Sequence, residues 1–168
     1  MPNPNLTIKK GECVGVVYRS SGIWKVHDGV LEAPATIPNG NLPPSTVTII
    51  HYVVNQKTGV LTRQHRTFHT VRQVLRTPSN PTFALQCPHT TNPDLHVGAC
   101  VVVKIDHVNT PSGFDAKNGV LVCSLQHRLH PNGKVWINHW KLITTTSPRV
   151  FLETKRYKNA VFVRRVTV

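Results

Sequence analysis

Acidic residues are scarce in this chain: seven Asp and Glu stand against twenty Lys and Arg in 168 residues, a formal charge of +13 at pH 7. The seven (Glu12, Asp28, Glu32, Asp94, Asp106, Asp115 and Glu153) are scattered singly. Clustered carboxylates that could hold catalytic metal ions are therefore missing, which argues against most metal-dependent nuclease sites. Long hydrophobic runs are missing too. No segment approaches the roughly 20 apolar residues of a membrane helix, and the opening MPNPNLTIKKGECVGVVYR has no apolar stretch of signal-peptide length behind a basic start. A soluble, non-secreted chain with no membrane partner is expected. Glycine-rich phosphate loops, nucleophile elbows and paired carboxylates are absent as well, so neither a catalytic residue nor a cofactor is expected. The four cysteines, Cys13, Cys87, Cys100 and Cys123, lie far apart. In a chain long enough to fold without covalent staples they read as free buried thiols.

Thirteen prolines and ten glycines punctuate the chain, and the segments between them are rich in Val, Ile, Thr and aromatics. That pattern predicts an all-β domain, a two-sheet antiparallel β-sandwich spanning residues 12–168 behind a short N-terminal extension, 1–11. Strands are expected at 12–19, 23–27, 46–54, 60–64, 82–87, 96–106, 119–129, 134–145, 149–154 and 157–168. The turns NQKTG at 55–59 and HPNG at 130–133 join neighbouring runs as hairpins. The proline-rich stretches LEAPATIPNGNLPPS, TPSNPT and CPHTTNPD read as stiff surface connections. Alternation assigns faces. Val97, Ala99, Val101, Val103 and Ile105 form one apolar row, with His96, Cys100, Lys104 and Asp106 opposite. Leu121, Cys123, Leu125 and Leu129 face the core, away from Gln126 and Arg128. In 134–143, Trp136, Trp140 and Leu142 share one side, and Val135, Ile137 and Ile143 the other. That strand is expected to be covered on both faces, and the terminal YKNAVFVRRVTV to be paired inside a sheet.

VLTRQHRTFHTVRQVLR, residues 60–76, admits two readings. Leu61, Phe68, Val71 and Leu75 recur at helical spacing, with Pro78 as a stop. Thr67, Thr70, Val71 and Val74 are β-branched and favour strands. In either geometry its arginines find no acid nearby in sequence and must reach solvent or a ligand.

Two histidine arrangements bear on chemistry. Cys87, His89, His96 and Cys100 spell C-x-H-x6-H-x3-C, but four residues along a strand cover roughly 13 Å, whereas ligands of one zinc lie within ~4 Å of each other. No metal site is expected. His65-Arg66-Thr67-Phe68 and His89-Thr90-Thr91 resemble the paired H-x-T elements of RNA-processing phosphoesterases, in which two histidines act as acid and base. The second element lacks the following apolar residue. A small phosphodiesterase using His65, His89 or His127 is the enzymatic alternative.

The remaining signal is basic. Arg63, Arg66, Arg72 and Arg76 form one group, Arg149, Lys155, Arg156, Lys158, Arg164 and Arg165 another, and Lys9 with Lys10 a small third. A surface so strongly of one sign repels itself unless a polyanion is bound. Nucleic acid held by its phosphate backbone at low sequence specificity is the expected partner, through these twelve residues. The ten histidines are expected to add positive charge on mild acidification and so to strengthen anion binding below neutral pH.

Taken with QHRTFHTVRQVLR and KRYKNAVFVRRVTV as segments facing a genome, the whole pattern resembles the coat proteins of small icosahedral viruses. The resemblance implies a jelly roll, a self-assembling homo-oligomeric shell, a virion location (otherwise host cytoplasm or nucleus) and subunit contacts through Trp24, Trp136 and Trp140. Sixty copies would bring roughly 780 positive charges, enough to offset much of a genome of about a thousand nucleotides. The long basic arm that many such proteins carry is not present in MPNPNLTIKK. The alternative in the same chemistry is a monomeric RNA- or single-strand-binding β-domain of a viral regulatory factor.

Overall fold

A computed structural model describes residues 6–33, 35–37, 46–78, 96–107, 113–124 and 133–168. Its elements are all strands: β1 (Leu6–Ile8), β2 (Cys13–Ser20), β3 (Ile23–Leu31), β4 (Ala35–Ile37), β5 (Val47–Val54), β6 (Leu61–Phe68), β7 (Val71–Arg76), β8 (Cys100–Asp106), β9 (Phe114–Ser124), β10 (Gly133–Leu142) and β11 (Val150–Arg165). The all-β expectation holds, as two main antiparallel sheets. The 60–76 ambiguity resolves to strand and strand. Phe68, Val71 and Val74 are buried in one cluster, and their β-branched neighbours fit the pleat that a helix would crowd.

The first sheet runs β6-β5-β3-β2-β7. Ser21 and Gly22, both at positive φ (51° and 79°), turn β2 into β3, the left-handed pair that a two-residue hairpin requires. At the next hairpin Asn55 Oδ1 accepts from Lys57 N–H (2.9 Å) and Thr58 N–H (3.1 Å), and Gly59 takes φ +74° before β6 pairs with β5. The NQKTG turn is as read from sequence. β6 and β7 occupy opposite edges of the sheet, yet only His69 and Thr70 separate them in sequence. The sheet must therefore curl until those edges meet, and Arg19 N–H donates to Thr70 C=O at 3.2 Å there. Inside the curl sit Val14, Val16, Leu31, Ile49, Phe68 and Val74. Ile8, within the stretch read as an extension, is buried with them, and β1 pairs with β4.

The second sheet closes on itself as a small barrel, β10-β11-β8-β9. The row Val101, Val103, Ile105 fills it with Leu121, Ile137 and Val163, as alternation predicts. The two terminal runs expected at 149–154 and 157–168 are one strand, β11, which pairs with β10 along its first half and β8 along its second. The hairpin expected at HPNG and the strand expected at 82–87 lie outside the described residues, although β9 and β10 pair antiparallel on either side of the former.

A third cluster joins the sheets: Val30, Ile50 and Tyr52 of the first meet Cys100, Val102 and Val166 of the second. β8 is thus buried on both faces, which the polar residues His96, Lys104 and Asp106 obscured in the sequence. Here the thiol expectation is corrected. Cys13 and Cys100 form a disulfide across the sheets, with Cα atoms 5.6 Å apart and 87 residues between them. Fold proximity, invisible in the spacing, makes the bond. It also removes Cys100 from any C-x-H-x6-H-x3-C metal set, and no such group of ligands occurs among the described residues. Trp140, expected at a subunit contact, lies between the sheets instead: a Cβ added at Gly15 would strike its indole.

Candidate nucleic-acid interface and the cleft between the sheets

The fold breaks up each basic cluster of the sequence and joins its pieces to those of another. Arg63 on β6 donates from Nη2 to Thr167 C=O (3.1 Å), while Arg164 on β11 lies over the ring of Tyr52, 5.4 Å from its centroid. Tyr52 is the register partner of Arg63, so the two arginines share one edge. Arg72 on β7 and Arg149 ahead of β11 line a groove with Leu75, Trp140 and Pro148. Lys10, Arg76 and Arg165 line another beside the disulfide. Arg156 sits over Trp136 at 5.9 Å. Lys9 and Lys10 occupy the turn before β2, and Lys158 is exposed on β11.

Two of the expected arginines differ from the sequence reading. Arg76 does find an acid, Glu12, at 3.0 Å, because β7 lies beside β2 and brings it to the turn before that strand. His65 likewise meets Glu32 at 2.9 Å. Arg66 is half-buried, with Nη1 3.1 Å from His27 Nε2 and Nη2 donating to Tyr18 Oη at 3.2 Å. Since a guanidinium only donates, His27 Nε2 accepts, and its proton resides on Nδ1, 2.9 Å from Tyr18 Oη. Burial, then the charges of Arg66, His51 and Lys25, lower the His27 pKa to about 4.

Arg66 belongs to a cleft of about 520 Å³ between the sheets. The cleft exists because β3 and β5 pair only at Val30↔Ile50 and Leu31↔Ile49 and then part. Side chains replace the missing ladder. Asn118 on β9 accepts from Tyr52 N–H and donates to Tyr52 C=O, both at 3.0 Å, and Asp28 accepts from Trp140 N–H at 3.1 Å. Both sheet interiors, apolar further in, become polar here. Ile49 gives way to His51 on one side, and Ile137 to His139 on the other. Burial of its carboxyl pushes Asp28 up to about 8, against the lowering effect of the Trp140 hydrogen bond.

Four buried polar atoms of residues lining this cleft have no hydrogen-bond partner: His51 Nε2, His139 Nε2, Trp140 Nε1 and Tyr157 Oη. Glu153 Oε1 lies 4.0 Å from His139 Nε2, beyond hydrogen-bond reach. Each such group left unmade costs about 1–3 kcal/mol, so their concentration in one place is a feature to explain. Burial lowers the pKa of His51, with Arg66 adding to the effect, and burial likewise lowers that of His139. His27 therefore stays neutral on mild acidification, and the downward shifts of His51 and His139 lessen their share of the histidine charge expected to strengthen anion binding. Nothing in the sequence pointed to the cleft, whose polar groups come from six strands. His89 and His127, the other histidines of the enzymatic alternative, lie outside the described residues. Comparison with protein-family models, curated proteins and solved structures finds no match in any of the three.

Proposed function

We propose that the protein binds nucleic acid through the phosphate backbone, with low sequence specificity. The observation that carries this reading is the convergence of cations from separate strands, Arg63 with Arg164 and Arg72 with Arg149, with no carboxylate paired to any of the four among the described residues. Like charges brought together by a fold repel unless an anion lies between them. A polyphosphate chain supplies such an anion at every nucleotide. Cations held over aromatic faces, as in Arg156 over Trp136 and Lys104 over Phe114 at 4.9 Å, add surfaces on which bases of a single strand can lie.

A coat protein remains the form of this function that we favour, supported by apolar side chains left in solvent: Ile143 is 63% exposed, Phe162 45% and Phe151 42%. Such residues suit contacts between copies. Strand order lends the jelly-roll form no support, because β2, β3 and β5–β7 belong to one sheet and β8–β11 to the other. The shell reading rests on charge and exposed apolar surface.

Fluorescence anisotropy with two mixed-sequence single strands of equal length and unrelated order tests the binding. Equal affinities, both weakened by Arg72→Gln with Arg149→Gln, support the proposal. Strong preference for one order, or indifference to the double substitution, contradicts it. Electron microscopy of the same mixtures tests the shell: closed uniform particles support it, and a persistent monomer leaves only the binding domain.

A further inference from the structure

The cleft between the sheets carries a second inference, which stands on its own geometry and does not depend on strand binding at the exterior. Around it, Lys117 pairs with Asp115 at 3.5 Å and Lys141 with Glu153 at 3.5 Å. Arg66 and Lys155 line the same cleft and have no carboxylate partner among the described residues. Two positive charges are left over. A phosphate monoester carries about −1.5 to −2 at neutral pH and three acceptor oxygens. Two of the unpartnered groups belong to side chains more than nine-tenths buried, His51 (5% exposed) and Tyr157 (7%). Both can donate from the atoms left free, and Trp140 Nε1 can only donate. The volume of about 520 Å³ lies within the range of small-molecule sites.

We propose that this cleft binds a phosphate monoester, with Arg66 and Lys155 facing its charge and His51, Tyr157 and Trp140 supplying hydrogen bonds. The excess of donors over acceptors among these groups selects an anion over a cation. Burial raises the pKa of Asp28, on the opposite face of β3 from His27, which lessens its repulsion of such a ligand. The same chemistry has two sources, a free nucleoside monophosphate and the terminal phosphate of a nucleic-acid strand.

Calorimetric titration of the full chain with adenosine monophosphate, adenosine, and a tetranucleotide with or without a 5′ phosphate tests the proposal. One equivalent of a phosphorylated probe should bind saturably, and its unphosphorylated counterpart at least tenfold more weakly. If the monophosphate alone shows this, the source is a free nucleotide; if the tetranucleotide alone, a strand end; either outcome supports the site. His51→Leu and Tyr157→Phe each remove an unpartnered buried group. Both should raise the melting temperature of the free protein while weakening the ligand at least tenfold, a split that a purely structural role does not give. Lys155→Met should weaken the ligand equally, whereas Lys57→Met, exposed in the NQKTG turn and outside the cleft lining, should not. A cleft that holds only water predicts no saturable binding by any probe. That result, or binding untouched by both His51→Leu and Tyr157→Phe, overturns the proposal.

Discussion

The side-chain amide of Asn118 takes both backbone polar groups of Tyr52, accepting from its N–H and donating to its C=O at 3.0 Å each. One residue of β9 thereby stands in for the neighbouring strand that β5 loses where β3 departs. The pair fastens the two sheets and holds the cleft open. Only an uncharged amide can do both, since a carboxylate cannot donate.

Asn118→Ala should therefore leave two backbone groups of Tyr52 without partners and lower stability by about 2–4 kcal/mol. Asn118→Asp should restore only the acceptor and lie between the two. Urea unfolding measures both. A loss below about 0.5 kcal/mol for the alanine variant, the size of an ordinary surface change, would show that the two sheets are fastened elsewhere.

The stability of the protein should pass through a maximum near pH 6.5. His27, lowered to about 4, refuses in the folded state a proton that the unfolded chain binds below about 6.5, so stability rises with pH between those values. His51 and His139 are shifted in the same direction. Asp28 acts oppositely. Its folded carboxyl keeps a proton up to about 8 that the unfolded chain releases near 3.8, so its contribution falls across that interval. His27 offsets Asp28 between about 4 and 6.5, the downward shifts of His51 and His139 tip that balance toward a rise, and above about 6.5 Asp28 acts alone. Asp28→Asn can still accept from Trp140 N–H and should abolish the alkaline decline. Melting temperatures recorded from pH 4 to 9 check this; a wild-type curve still rising at pH 8 would contradict it.

Cys13 and Cys100 should resist alkylation in unreduced, denatured protein, so that no more than two of the four thiols titrate. The bond closes a loop with 87 residues of separation, and its removal by Cys13→Ser with Cys100→Ser should cost about 2–4 kcal/mol. Four thiols titrating without reductant would return the cysteines to the free state that their spacing suggested.

The strands were readable where local chemistry decides them. The NQKTG turn placed Asn55 and Gly59 where side-chain acceptance and positive φ are needed, and alternation placed Val101, Val103 and Ile105 inside the barrel. Helical spacing at Leu61, Phe68, Val71 and Leu75 competes with β-branching at Thr67, Thr70, Val71 and Val74, and only the pairing of β6 with β5 and of β7 with β2 decides between them. What depends on distant pairing was not readable. Cys13 meets Cys100 across the two sheets, Arg76 meets Glu12 where β7 lies beside β2, and Arg72 shares a groove with Arg149, each through segments far apart in sequence. The cleft is the extreme case. Its His51, Trp140 and Tyr157 look in sequence like core residues of ordinary strands, and only the fold shows that they line a cleft beside the parting of β3 from β5 with their buried polar atoms unpartnered.

Neutralising exterior cations should weaken nucleic acid uniformly rather than change its sequence preference. Arg63→Gln, Arg164→Gln and Lys158→Gln should each reduce affinity to a similar degree for unrelated sequences, and each should lessen the salt slope by about 0.7 on a single strand. A substitution that altered preference between sequences would reveal base contacts that this arrangement of cations does not provide.

The most direct measurement is the affinity for a single-stranded oligonucleotide as a function of salt. With about six phosphates engaged, log K should fall against log[salt] with a slope of about −4, from tight binding at low ionic strength. A slope near zero, or no binding in about 20 mM salt, would contradict the assignment of the cationic exterior to nucleic-acid phosphates.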